Sequence, residues 1–228
     1  MKTVTVANLI AWIRQAADMV GSTFVDDTTE ILPLINAYHA ELRDLLIEGH
    51  GPAYFASSFT ATTTSGTGYI SLPTSPSTGH DLYQVLGVDV TLSSGDVISA
   101  TPFDFHTRNA YASSSHWSRG EPIHYRIHGD KLLLLPTPDG AYTITVHYLP
   151  ATPTLTLTTE TIDGINGWER YIVVCAAIVL LQKEESDISV LMAEKASITG
   201  RIRGLAAHRD AAYPDRIVRT RARRWRMP

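Results

Sequence analysis

Hydrophobic spacing along this chain changes period twice. Residues 6–20 place Val6, Leu9, Ile10, Ile13, Ala16, Ala17 and Val20 at helical intervals, which predicts a helix with one apolar stripe, stopped by Gly21. A second helix follows, with Asp27 and Glu30 forming a capping-box-like start. Its stripe is Ile31, Leu34, Ile35, Tyr38, Leu42, Leu45 and Leu46, and Gly49 closes it. Pro33 predicts either a kink in the first turn or a start nearer Leu32.

From about Pro52 to Pro150 the pattern turns to short runs of β-branched and aromatic residues between clusters of Ser, Thr, Gly and Pro, the mark of strands and turns. The predicted strands are Tyr54–Thr60, Tyr69–Leu72, Leu82–Leu92, Ile123–His128, Lys131–Leu135 and Tyr142–Leu149. In the last, Tyr142, Ile144, Val146 and Tyr148 take one face and Thr143, Thr145 and His147 the other. His128-Gly129-Asp130-Lys131 has glycine where a two-residue type II′ hairpin needs it. Helices return after the Thr-rich segment 151–162. Residues from Trp168 to about Glu184 are apolar almost all round, so other elements must surround them. A last helix, capped by Ser186 or Asp187, runs to about Ala212 with Leu191, Ile198, Ile202 and Leu205 inward. In it Gly200 and Gly204 would admit another backbone, and Pro214 ends it.

The pattern predicts an α+β chain: a four-helix bundle from both chain ends, an inserted small antiparallel β-sandwich or barrel, and an extended C-terminal tail. The expected divisions are a first helix pair over 1–51, an inserted β domain over 52–150, a linker over 151–166, a second helix pair over 167–213, and a basic tail over 214–228.

Charge sharpens the last of these. The chain of 228 residues has a formal net charge of −4. Residues 201–228 nevertheless hold nine arginines against Asp210 and Asp215, a local +7 that leaves −11 on the other 200 residues. Such asymmetry marks contact with a polyanion or an acidic protein. The single cysteine, Cys175, lies among apolar residues and is expected to be reduced and inert. The start of the chain lacks signal-peptide features, and the longest apolar run, Tyr171 to Leu181, is too short for a bilayer.

Catalytic and metal motifs are missing: no phosphate-binding loop, nucleophile elbow, zinc-protease helix or paired cysteines. Gly66-Thr67-Gly68 lacks both a third glycine and a following helix. His116, His124, His128 and His147 are the best metal candidates, but His124 and His128 would stand ~13 Å apart along one strand. Hydrogen-bonded or solvated strand histidines are the simpler expectation. Asp163 reads as part of the turn before the Trp168 helix. No catalytic residue, cofactor or metal is therefore expected, and the chain is not read as an enzyme.

The tail remains. Arg216, Arg219, Arg221, Arg223, Arg224 and Arg226 accompany Trp225, with no lysine. Guanidinium groups pair bidentately with carboxylate or phosphate, and Arg and Trp are frequent interface anchors. Fully extended, 215–228 reaches up to ~45 Å. A nucleic-acid-binding module using this tail is the alternative, although the acidic body would repel DNA.

In layout the chain resembles the head-to-tail adaptor proteins of tailed bacteriophages, including the tail tubular A group. The resemblance rests on the order of three segments. They are Asp27–Leu46 with its Leu32-to-Asn36 core; Gly120-Glu121-Pro122-Ile123-His124-Tyr125 with Leu133 to Pro138 and the Tyr148-Leu149-Pro150 exit; and the helix pair from Trp168 to Asp210 with a basic tail behind it. Pro33 and the Ser/Thr-rich stretch 56–67 depart from it. The resemblance implies a virion protein of the neck, at the portal vertex, assembled in the bacterial host cytoplasm. It implies self-association into a ring, typically a dodecamer, that joins the portal protein to a downstream nozzle or tail-completion protein. Arg219, Arg221, Arg223, Arg224, Trp225 and Arg226 would form the portal-contacting arm. Genome DNA would transit the channel without specific binding, and no membrane is involved.

Overall fold

The computed structural model describes residues 3–73, 81–108 and 119–206. Thr5 begins the first helix, its hydroxyl accepting the Asn8 N–H at 3.2 Å. Helix α1 (Val6–Ala16) buries Val6, Leu9, Ile10 and Ile13, the expected stripe. It ends before Gly21, because Arg14 gathers the following loop: its guanidinium donates to the carbonyls of Met19, Ser22 and Val25 at 3.2, 2.8 and 2.6 Å. Asp18 turns the chain at φ 55°, and Val20 is left outside, 72% exposed.

Asp26, one residue before the expected cap, accepts the N–H groups of Thr28 and Thr29 at 2.9 and 2.7 Å. A wide turn over Asp27–Ile31 then leads into α2 (Leu32–His50), with Pro33 in its first turn. There a missing N–H costs no helical bond. The later helices are α3 (Arg170–Lys183) and α4 (Ser189–Ala206). Helix α3 contacts α1, α2 and α4, which explains why residues Tyr171 to Ile178 are all buried. On α4, Ile198 and Ile202 are buried while Leu205 is 49% exposed. A Cβ built on Gly200 or Gly204 would meet nothing within 4 Å, so the expected backbone contact is not made among the described residues. The end expected near Ala212 lies outside them.

A two-stranded antiparallel ribbon of β1 (Thr3–Thr5) and β12 (Thr161–Asp163) closes the helical part. Asp163 therefore lies on a strand, not in the turn. The Thr-rich segment leading to β12 is tied to the helices by backbone and side chain. Asn36 donates to the Leu155 carbonyl at 2.9 Å and accepts its N–H at 2.8 Å. The carbonyls of Thr158 and Glu160 cap the first N–H groups of α1.

The middle of the chain folds as two four-stranded sheets. One orders β2 (Ser57–Thr62), β11 (Thr143–Pro150), β4 (Leu82–Thr91) and β5 (Val97–Ser99), antiparallel throughout. The other orders β3 (Tyr69–Ser71), β9 (Lys131–Leu135), β8 (His124–His128) and β6 (Thr101–Pro102), with only β6 and β8 parallel. A short parallel pair joins β7 (Arg119–Gly120) to β10 (Thr137–Pro138). Both four-stranded sheets feed one apolar core: Val88, Val90, Ile144 and Val146 from the first meet Ile70, Leu132 and Leu134 from the second. The alternation in β11 holds, with Tyr142, Ile144, Val146 and Tyr148 buried and Thr143 and His147 exposed. His128 pairs with Lys131 across Gly129 at φ 62°, the hairpin predicted. Tyr54 and Phe55 do not begin a strand. They lie in a 3-10 turn (Pro52–Phe55) and pack against the helical core, with the Tyr54 ring 6.4 Å from that of Trp168.

Candidate interaction surfaces

The predicted arm (Arg219, Arg221, Arg223, Arg224, Trp225 and Arg226) lies outside the described residues, as does His116. What the structure positions is the arm's base. Helix α4 runs alongside α2 in the same direction, marked by two ion pairs: Lys195 with Glu41 at 3.7 Å, and Arg203 with Glu48 at 3.4 Å. Arg170 fastens α3 to α4 through both oxygens of Glu194, at 2.8 and 3.2 Å. Lys183 joins Glu30 at 3.4 Å. Pairs this exposed are worth only ~0.2–1 kcal/mol each. Their use is to set helix register, not to hold the fold.

A tighter network lies within. The Tyr171 hydroxyl donates to Glu41 at 2.5 Å, and Lys195 sits 5.5 Å from the Tyr171 ring centre. Burial pushes the Tyr171 hydroxyl far above its ordinary pKa, and the Glu41 contact adds to this. Burial likewise raises the Cys175 thiol, which keeps it protonated and unreactive. Cys, Tyr, Glu and Lys thus converge from three helices as a joint. Their convergence was not legible in sequence, because Glu41 lies 130 residues from Tyr171.

A second joint fixes the β part to the helices. Arg43, 8% exposed, donates to the carbonyls of Pro150 and Ala151 at 3.0 and 3.2 Å and lies 4.4 Å over the Phe55 ring. One guanidinium therefore holds both the segment leading into the β strands and the segment leaving them. Beside it His39 is half-buried, and desolvation together with the Arg43 charge lowers its pKa to about 4. It stays neutral near pH 7.

The other histidines are separated. His124 bonds Thr101 at 2.7 Å, His128 stacks on Phe105 at 5.7 Å between centroids, and His147 meets Asp89 at 3.1 Å. Among the described residues no three His, Cys, Asp or Glu side chains gather to hold a metal ion. Phe24 carries no periodic signal in the sequence. The loop wound on Arg14 presents it 80% exposed, and leaves Val20 exposed as well.

The built features of the described residues are thus joints, between helices and between helices and β sheets. A family model, SU10 adaptor protein, matches residues 4–226, nearly the whole chain. The chain belongs to this family of phage head-to-tail adaptors. It is accordingly a phage virion structural protein that binds other virion proteins, in a structural family that implies no catalysis. None of the curated proteins compared matches it. No helix among the described residues is long and apolar enough to cross a membrane.

Proposed function

We propose that the chain assembles into a ring between the portal protein and the next tail component, gripping the portal with Arg219, Arg221, Arg223, Arg224, Trp225 and Arg226. Family membership carries this reading. The position of the arm's base supports it: α4, packed against α2 and α3 and set in register by ion pairs, is the element that precedes the arginine-rich segment. Arginine suits such a grip because its planar fork pairs with carboxylates at a protein surface. We assign the inserted unit, 52–150, to the contact with the next tail component or with fibres. The acidic body favours free passage of the genome through the ring, since close attraction to phosphates would trap it.

Deleting Arg219–Pro228 tests the grip. The shortened protein is expected to keep its fold by circular dichroism and to lose portal protein in a pull-down. Retained binding would overturn the assignment. Salt-dependent DNA binding by the free protein, with portal binding unaffected by the deletion, would transfer the arm to nucleic acid.

A further inference from the structure

Between α2 and the segment leaving the β sheets runs a cleft of about 250 Å³, lined by Ala40, Arg43, Asp44, Ile47, Tyr83 and Pro150. Its floor is largely apolar, and Tyr83 stands 65% exposed at its edge. Its rim is acidic. Asp44 is exposed, Glu48 lies one helical turn beyond it, and Asp81 is held there by the bond from the Ala151 N–H to its carbonyl at 2.7 Å. The Arg43 guanidinium is turned to the Pro150 and Ala151 carbonyls and the Phe55 ring, which leaves the rim carboxylates to face a ligand. An apolar slot rimmed by carboxylates fits a ligand that carries an aromatic ring among cations.

This chain carries such a segment, and its last described helix ends beside the same rim. The described structure ends at Ala206, three residues past Arg203, and Arg203 is paired with Glu48 at 3.4 Å. Trp225 lies nineteen positions beyond Ala206, a reach of up to ~60 Å, whereas the cleft begins about one helical turn from Glu48. Short tethers raise effective concentration, so even a weak contact would be populated.

We propose that this cleft holds the chain's own arm before assembly, with the Trp225 ring in the slot and neighbouring arginines on Asp44 and Asp81. Resting on the portal-docking reading, this makes the cleft a parking site. It keeps the basic arm off DNA and off other adaptor copies until the portal competes for it.

The test uses the full chain with a nitroxide on Met227→Cys; buried Cys175 stays unlabelled. At low salt the label is expected to broaden the amide signals of Ile47, Tyr83 and Ala151. Raising salt to ~1 M, where the Debye length falls to about 3 Å, should restore them. So should Asp44→Lys with Asp81→Lys, or Trp225→Ser, with the other signals unchanged to show that the fold is kept. Sharp cleft signals at low salt, or broadening centred elsewhere, would overturn the proposal. Broadening that passes from a labelled chain to an unlabelled one in a mixture would overturn it too, by placing the arm on a second copy. Sharp cleft signals in a protein that still needs Arg219–Pro228 to bind the portal would remove the parking site alone. Broadened signals in a protein whose portal binding survives the deletion would remove the docking reading instead.

Discussion

Replacing Arg43 measures how firmly the β sheets are held to the helices. The guanidinium makes two charge-assisted hydrogen bonds, to Pro150 and Ala151 at 3.0 and 3.2 Å, and such bonds are worth about 1.5–3 kcal/mol each. Its contact with Phe55 at 4.4 Å adds ~1 kcal/mol. Two effects work against this total. The Arg43 Nε is buried with no hydrogen-bond partner, a cost that vanishes with the side chain. Pro150 and Ala151 also line the open cleft, so water can reach their carbonyls once Arg43 is gone. Arg43→Met keeps the packing of the stem, and the expected loss is about 2 kcal/mol. Arg43→Ala adds a cavity and should lose about 3–4 kcal/mol. Equilibrium urea unfolding, followed by tryptophan fluorescence and far-ultraviolet dichroism together, reads both values. A methionine variant within ~0.5 kcal/mol of the parent would show that the guanidinium is not the fastening.

Two further outcomes follow from other joints. Asn36→Ala removes both bonds to Leu155, and thermal unfolding should show a loss of about 2 kcal/mol; Asn36→Asp should not restore it, because the Leu155 carbonyl then faces a carboxylate. His39 should make stability fall with acid. The unfolded chain binds a proton near its ordinary pKa of 6.5, while the folded one waits until about 4. Stability is therefore unaffected above pH 6.5 and declines as pH drops from 6.5 to 4. His39→Gln should flatten that interval in urea titrations. Asp26 and Asp187, held below their ordinary 3.8 by backbone N–H groups, lose their contribution only at lower pH, so the two effects separate.

Sequence pattern reported this architecture best where one physical rule acted alone. Strand β11 alternates because one face is buried, and α3 is apolar all round because three helices enclose it. Local spacing misleads where a distant side chain overrules it. Val20 fits the α1 stripe, yet Arg14 collects three carbonyls from the loop and turns the chain outward. Tyr54 and Phe55 look like strand residues, but Trp168 and Arg43 draw them onto the helices. The short strands β5, β6, β7 and β10 carry two or three residues each, too few for a period to show. Surfaces were least legible. The arm stood out by composition, but the cleft joins residues from α2, β4 and β11 whose meeting depends on the fold.

An electron-microscopy reconstruction of the virion's portal vertex tests the central claim most directly. The account predicts a ring of this chain between portal and tail, with Arg219, Arg221, Arg223, Arg224, Trp225 and Arg226 lying on the portal. A ring absent from that position, or an arm lying on the genome with no portal contact, would contradict it.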